Sequence, residues 1–226
     1  MKPSAGAAKS TLSSIEAVVV SALCFGLFSL WSIQAVLAGF PAARYSNDAV
    51  IQMILLELVL AGVALLFLRL RGFDVKSLLP RPTWWDTLLG ALTYLAAWLL
   101  ETVCQSVYQA VVPPSPTPPV IEFSFTGLTV ATLVGFAVVN GLFEEVFLLG
   151  VLTRGLRGLG LGLAIGLPML LRLLYHTYQG PLGALGVVAF GLTVTLVYVR
   201  TGRLWPSVYA HILADVIPMA VWGVSQ

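Results

Sequence analysis

Charge is what this chain has least of. Only 10% of its 226 residues are Asp, Glu, Lys or Arg, where soluble domains carry about a quarter. That scarcity excludes an ordinary soluble enzyme and a solvated binding module. Cysteine is nearly absent as well. Cys24 and Cys104 both fall in apolar stretches without CxxC spacing, which excludes a disulfide framework or a zinc knuckle. The net charge of +2 is scattered over loops rather than gathered in a basic patch, so no nucleic-acid partner is expected. Neither HExxH nor GxSxG occurs, which argues against a zincin and against a serine nucleophile. There is also no pair of matching broken helices, the mark of many carriers built from inverted repeats.

What fills the chain instead is apolar sequence, 58% of residues at a mean hydropathy of +0.94. This is the composition of an integral membrane protein, and the expected fold is an all-α, polytopic transmembrane helix bundle of about seven spans. Residues 1–12 are polar and small and are expected to form a disordered cytoplasmic tail, with residues 13–226 as a single transmembrane domain. The first apolar run, Ala17 to Phe40, is longer than the 7 to 15 residues of a signal-peptide core and reads as a span. Spans follow at about 49–69, 83–103, 127–153, 159–178, 182–199 and 204–223. Trp84 and Trp85 open the third span at a membrane interface. After it, PPSPTPP within Gln105 to Phe125 cannot continue a helix and reads as a stiff external connector.

Ten of the 12 Lys and Arg residues fall in the tail and in the loops after spans two, four and six. By the positive-inside rule these face the cytoplasm, which places the N-terminus inside and the C-terminus outside. Arg44 lies on the opposite side. Arg172 lies within a span.

Asn140 to Arg154, NGLFEEVFLLGVLTR, sets Glu144 and Glu145 side by side inside an apolar helix. Ionisable groups at bilayer depth are costly and mark function by default. Neighbouring residues point about 100° apart on a helix, so one glutamate can face a cavity while the other binds a neighbouring helix. Polar residues in later spans recur four apart, on one helix face: Asn140 with Glu144, Arg172 with His176, His211 with Asp215. A single buried histidine is more often a satisfied core residue. Here both histidines of the chain sit in such pairs, which implies one polar cavity holding a carboxylate and an imidazole able to activate water. Glu57, in span two, reads either as a structural partner or as an outlying site residue.

These residues resemble the CPBP (Abi) family of intramembrane proteases, which includes CAAX prenyl endopeptidases and bacteriocin-processing proteins. The resemblance lies in FEEVFLLG, RLLYHTYQG and LWPSVYAHILAD, in that order, over about Val139 to Pro218, within a catalytic region of about 127–223. It implies that Glu144 and His176 activate water and that His211 and Asp215 help form the oxyanion site. Glu145, Arg172 and Asn140 are supporting residues. The implied activity is an intramembrane endopeptidase acting without a covalent intermediate on a membrane-associated peptide or protein, in a bacterial plasma membrane. No cofactor is expected. Zinc is possible through His176, His211 and a glutamate.

The chain departs from the family pattern at two positions. Leu149 stands where EExxxR has its arginine, and Arg172 stands where an aromatic often precedes the histidine by four. Arg172 is expected to supply to Glu145, from the neighbouring span, the charge missing at Leu149. A non-catalytic chaperone-like or immunity protein of the same fold is the alternative that Leu149 favours.

Overall fold

The structure is a computed structural model and describes residues 9–113 and 123–223. Seven α-helices dominate the described residues: α1 (Ser14–Leu37), α2 (Asn47–Leu70), α3 (Trp84–Val111), α4 (Val130–Glu145), α5 (Leu161–His176), α6 (Gly180–Thr201) and α7 (Trp205–Gly223). Helix α4 continues into a π-helical segment, Val146–Thr153. Five helical stretches are long and apolar enough to cross a membrane: α1, α2, α3, Val130–Thr153, and Leu161–Thr201, which holds both α5 and α6. The fold is the expected all-α polytopic bundle of an integral membrane protein. The count of about seven spans is an approximation, because α7 stands outside those five stretches.

Side-chain caps start four of the helices. Ser13 forms a capping box with Glu16 at α1, and Ser46, Thr83 and Thr129 accept from the backbone at the starts of α2, α3 and α4. Helix α6 ends at Gly202, which adopts the left-handed conformation (φ 67°) that glycine enters without steric cost.

The tail departs from expectation. Residues 1–8 lie outside the described residues, but residues 9–12 are docked rather than disordered. Lys9 pairs by its backbone with Gly72 and Asp74, and Leu12 donates its N–H to the Gly155 carbonyl at 2.9 Å while its side chain is buried. Glu16 fastens this layer, accepting from Lys9 Nζ at 2.6 Å and Arg71 Nε at 2.9 Å. Leu12, Phe73 and Leu78 pack on Leu148, Leu152 and Leu156, so an apolar plug closes the end of the bundle that carries the basic loops.

At the other end the chain forms strands that hydropathy did not suggest. β1 (Ala43–Ser46) pairs in parallel with β2 (Phe123–Thr126), Ala43 opposite Phe123 and Tyr45 opposite Phe125. The Tyr45 and Phe125 rings stack at 5.6 Å, and burial pushes the ionisation of the Tyr45 hydroxyl up. Helix α3 runs to Val111, about two turns past its expected end. The proline-rich connector, from 114 to 122, lies outside the described residues.

Candidate active site

The two glutamates end α4 where its register changes. At Glu144 and Glu145 the helix passes into the π-helical segment, a geometry that recurs at functional sites. The buried hydroxyl of Thr153 bonds the Leu148 carbonyl five residues back, at 2.9 Å, instead of four. Glu145 is fully buried and Glu144 is 4% exposed. Glu144 lines a cavity of about 1050 Å³ and Glu145 stands behind it, off the lining. The separation of roles expected from adjacent helix positions is thus visible in the geometry.

Arg172 on α5 reaches both carboxylates. Its Nη2 donates to Glu145 Oε1 at 2.6 Å, and its Nη1 lies 3.6 Å from Glu144 Oε2. The guanidinium also lies over the Phe190 ring at 5.5 Å, and α6 yields space for it at Gly191, where a Cβ would fall 2.9 Å from Arg172 Cδ. Leu149 fills a fully buried cluster with Val194, Tyr198 and Ala210. That position is packed with apolar side chains, and the cation arrives from α5 as the charge argument expected.

One turn beyond Arg172, His176 sets Nε2 at 3.7 Å from Glu144 Oε1. Its Nδ1 faces the Gln179 amide at 3.3 Å. The turn after His176 is fixed from α1, whose Ser32 hydroxyl accepts from the Tyr178 N–H at 2.9 Å and bonds Thr177 Oγ1 at 2.8 Å. Tyr175, between Arg172 and His176, donates its hydroxyl to Glu144 Oε2. Its ring stacks on Phe25 at 5.2 Å.

Helix α7 brings the second histidine. Gly141 permits the approach, since a Cβ there would lie 3.3 Å from the Ile212 nitrogen and 3.4 Å from His211 Cβ. His211 Nδ1 lies 2.6 Å from Glu145 Oε1, which leaves Nε2 toward the cavity, 3.9 Å from both Glu144 Oε2 and Asp215 Oδ2. Asn140 donates its amide to Asp215 Oδ2 at 2.9 Å and lies 3.4 Å from His211 Nε2. All seven residues singled out in the sequence therefore converge: Asn140, Glu144, Glu145, Arg172, His176, His211 and Asp215.

Residues 126–217 match the Rce1-like type II CAAX prenyl endopeptidases. The Rce1-like region runs from β2 into α7 and contains every one of these seven residues, so the family resemblance drawn from three loose motifs is shown over that stretch. No curated protein and no solved structure matches the chain.

Sequence reasoning missed three groups of this chamber: Tyr175, Gln179 and the carboxylate of Glu101. Tyr175 had a signal available, since it falls three residues after Arg172 and shares its face. Glu101 had one too, as a carboxylate within an expected span. Glu57, left open between a structural and a site role, is 3% exposed, lines the cavity and among the described residues has a buried Oε2 without a hydrogen-bond partner.

Among the described residues, the metal-ligand types that converge within 4.8 Å are Glu144, Glu145 and His211. His176 is not in that set. The Arg172 guanidinium already supplies positive charge to both carboxylates, and the Glu145 oxygen it holds is also the one facing His211 Nδ1. A divalent cation fits this donor set poorly, because it would sit beside a fixed guanidinium of the same sign.

Proposed function

We propose that the protein is a glutamate-dependent intramembrane endopeptidase that hydrolyses a peptide bond in a membrane-associated substrate. The observation that carries this reading is the facing of Glu144 Oε1 and His176 Nε2 across 3.7 Å in the wall of a large cavity that Asn140, His211 and Asp215 also line. A water bonded to both would lose a proton to Glu144 as its oxygen attacks the scissile carbonyl carbon. With the Gln179 amide donating to Nδ1, His176 carries its proton on Nε2 and orients the water oxygen. The carbonyl oxygen gains the charge. His211 Nε2 and the Asn140 amide, beside Asp215, are the groups positioned to meet it. Collapse breaks the C–N bond, and Glu144 returns its proton to the leaving nitrogen, so no covalent intermediate forms.

Glu145 and Arg172 do not take part in these transfers. They fix the helices: Glu145 bridges α4 to α5 through Arg172 and to α7 through His211, which holds the two histidines around Glu144. The site works in the bacterial plasma membrane, with the N-terminus and basic loops cytoplasmic and the C-terminus external. The β1–β2 pair then covers the outer mouth of the chamber. Screening a library of lipid-reconstituted candidate substrates with the wild type and Glu144→Gln tests the reading. Cleavage by the wild type alone supports it, and equal cleavage by both contradicts it. A folded wild type that binds membrane peptides yet cleaves none would support the non-catalytic reading, which the loss of the EExxxR arginine at Leu149 favours.

A further inference from the structure

Resting on the protease reading, we propose that the chamber takes a substrate segment bearing a positively charged group beside the scissile bond, and that Glu57 receives it. The inference starts from a carboxylate in the wrong place. Glu57 interrupts NDAVIQMILLELVLAGVALLFLRL, the most apolar of the candidate spans, is 3% exposed, and lines the cavity. Among the described residues its Oε2 has no hydrogen-bond partner, and no Lys, Arg or His pairs with it. A buried carboxylate is normally paired, and one that is left bare toward a cavity is complementary to a cation supplied from outside.

The wall carries further carboxylates. Among the described residues, Glu101 on α3 faces the chamber with only the Gln105 amide as hydrogen-bond partner, at 2.9 Å, and Asp215 is held only by neutral Asn140 at hydrogen-bond distance. Glu101 is seated by a missing side chain: a Cβ at Gly186 would lie 2.4 Å from its Oε1. Among the described residues the guanidinium in the lining is that of Arg172, already engaged by Glu145 at 2.6 Å and Glu144 at 3.6 Å. Glu57 lines the same cavity as Glu144, Asp215 and His211, so a cation held there shares the chamber with the reacting groups. The same field repels a free C-terminal carboxylate. The cationic group is either a Lys or Arg side chain or the N-terminal ammonium of a peptide. A Lys or Arg crossing into apolar surroundings would find in Glu57 the partner that offsets its desolvation.

The test uses binding to the full-length protein reconstituted in lipid. The probes are N-acetylated apolar peptides identical except for Lys, norleucine or Glu at one central position, together with the norleucine peptide left with a free amine. The Lys probe should bind about tenfold more tightly than the norleucine probe, and the Glu probe more weakly than either. Glu57→Gln should bring Lys and norleucine to parity, and Glu57→Asp should retain the preference. Tighter binding of the free-amine norleucine probe than of its acetylated form, lost in Glu57→Gln, would assign the site to an N-terminus. Equal binding of Lys and norleucine probes by the wild type, with no gain from a free amine, overturns the proposal. So does a charge preference that survives in a Glu57→Gln variant of wild-type melting temperature. Absence of cleavage alongside an intact charge preference would count against the protease reading alone.

Discussion

Removing the Arg172 guanidinium is the perturbation whose cost the structure defines best. In Arg172→Leu, Glu145 would lose the 2.6 Å hydrogen bond from Nη2 and remain fully buried, with its Oε2 already lacking a partner. Glu144 would lose the positive charge 3.6 Å away. Two adjacent carboxylates would then share a low-dielectric site with the His176 and His211 imidazoles as their remaining basic neighbours among the described residues. Breaking one partner out of a buried pair destabilises by about 3 to 5 kcal/mol. Leucine also leaves empty the space along Gly191 and over Phe190 that the longer side chain fills, so the loss belongs at the upper end of that range. Denaturant unfolding in a fixed detergent measures it. Adding Glu145→Gln to Arg172→Leu removes the orphaned charge and should return more than half of the loss. An Arg172→Leu protein within about 1 kcal/mol of the wild type would refute the claim that this pair holds α4 to α5.

Other outcomes follow from the same geometry. Activity should survive exhaustive chelation and gain nothing from zinc, because Arg172 already engages the carboxylates a metal would need; loss with EDTA and recovery with zinc would show the opposite. Tyr175→Phe should lower kcat while leaving the melting temperature within a few degrees, since it deletes only the hydroxyl bonded to Glu144; unchanged kcat would detach that bond from the chemistry. Gly90→Val should destabilise the α3–α7 contact by about 1 to 3 kcal/mol, because a Cβ there falls 2.8 Å from the backbone oxygen of Pro206; a neutral effect would mean these helices are not so close. Reporter fusions should place the N-terminus in the cytoplasm and the C-terminus outside, and finding both on one side would break the span count.

The residues of the candidate site were legible in the sequence because ionisable groups are expensive in an apolar helix, so their i, i+4 spacing stands out. Helix positions were legible for the same reason. Their joints were not. The π-helical turn at Val146–Thr153 leaves the hydrophobic pattern intact, as every residue from Phe147 to Leu152 is buried whichever way the helix winds. The β1–β2 pairing joins segments about eighty residues apart, and no local periodicity encodes it. Residues 9–12 look like a polar tail, yet Leu12 is buried in the core and the Lys9 backbone pairs with Gly72 and Asp74, contacts that composition cannot weigh. Glu57 was noticed but could not be placed, since its meaning lies in what fails to surround it. The expected transfer of the missing positive charge from Leu149 to Arg172 was readable because charge balance at depth does not depend on which helix supplies the cation.

The most direct measurement is kcat for a membrane-reconstituted substrate with Glu144→Gln set beside Glu145→Gln. If Glu144 is the group that takes the proton from water, Glu144→Gln loses about 10²- to 10⁴-fold in kcat while its unfolding transition stays close to that of the wild type. Glu145→Gln, which alters a buried bridge among three helices, lowers stability first and activity with it. Glu144→Gln turning over at the wild-type rate, or a larger loss of kcat in a stably folded Glu145→Gln, would contradict the account.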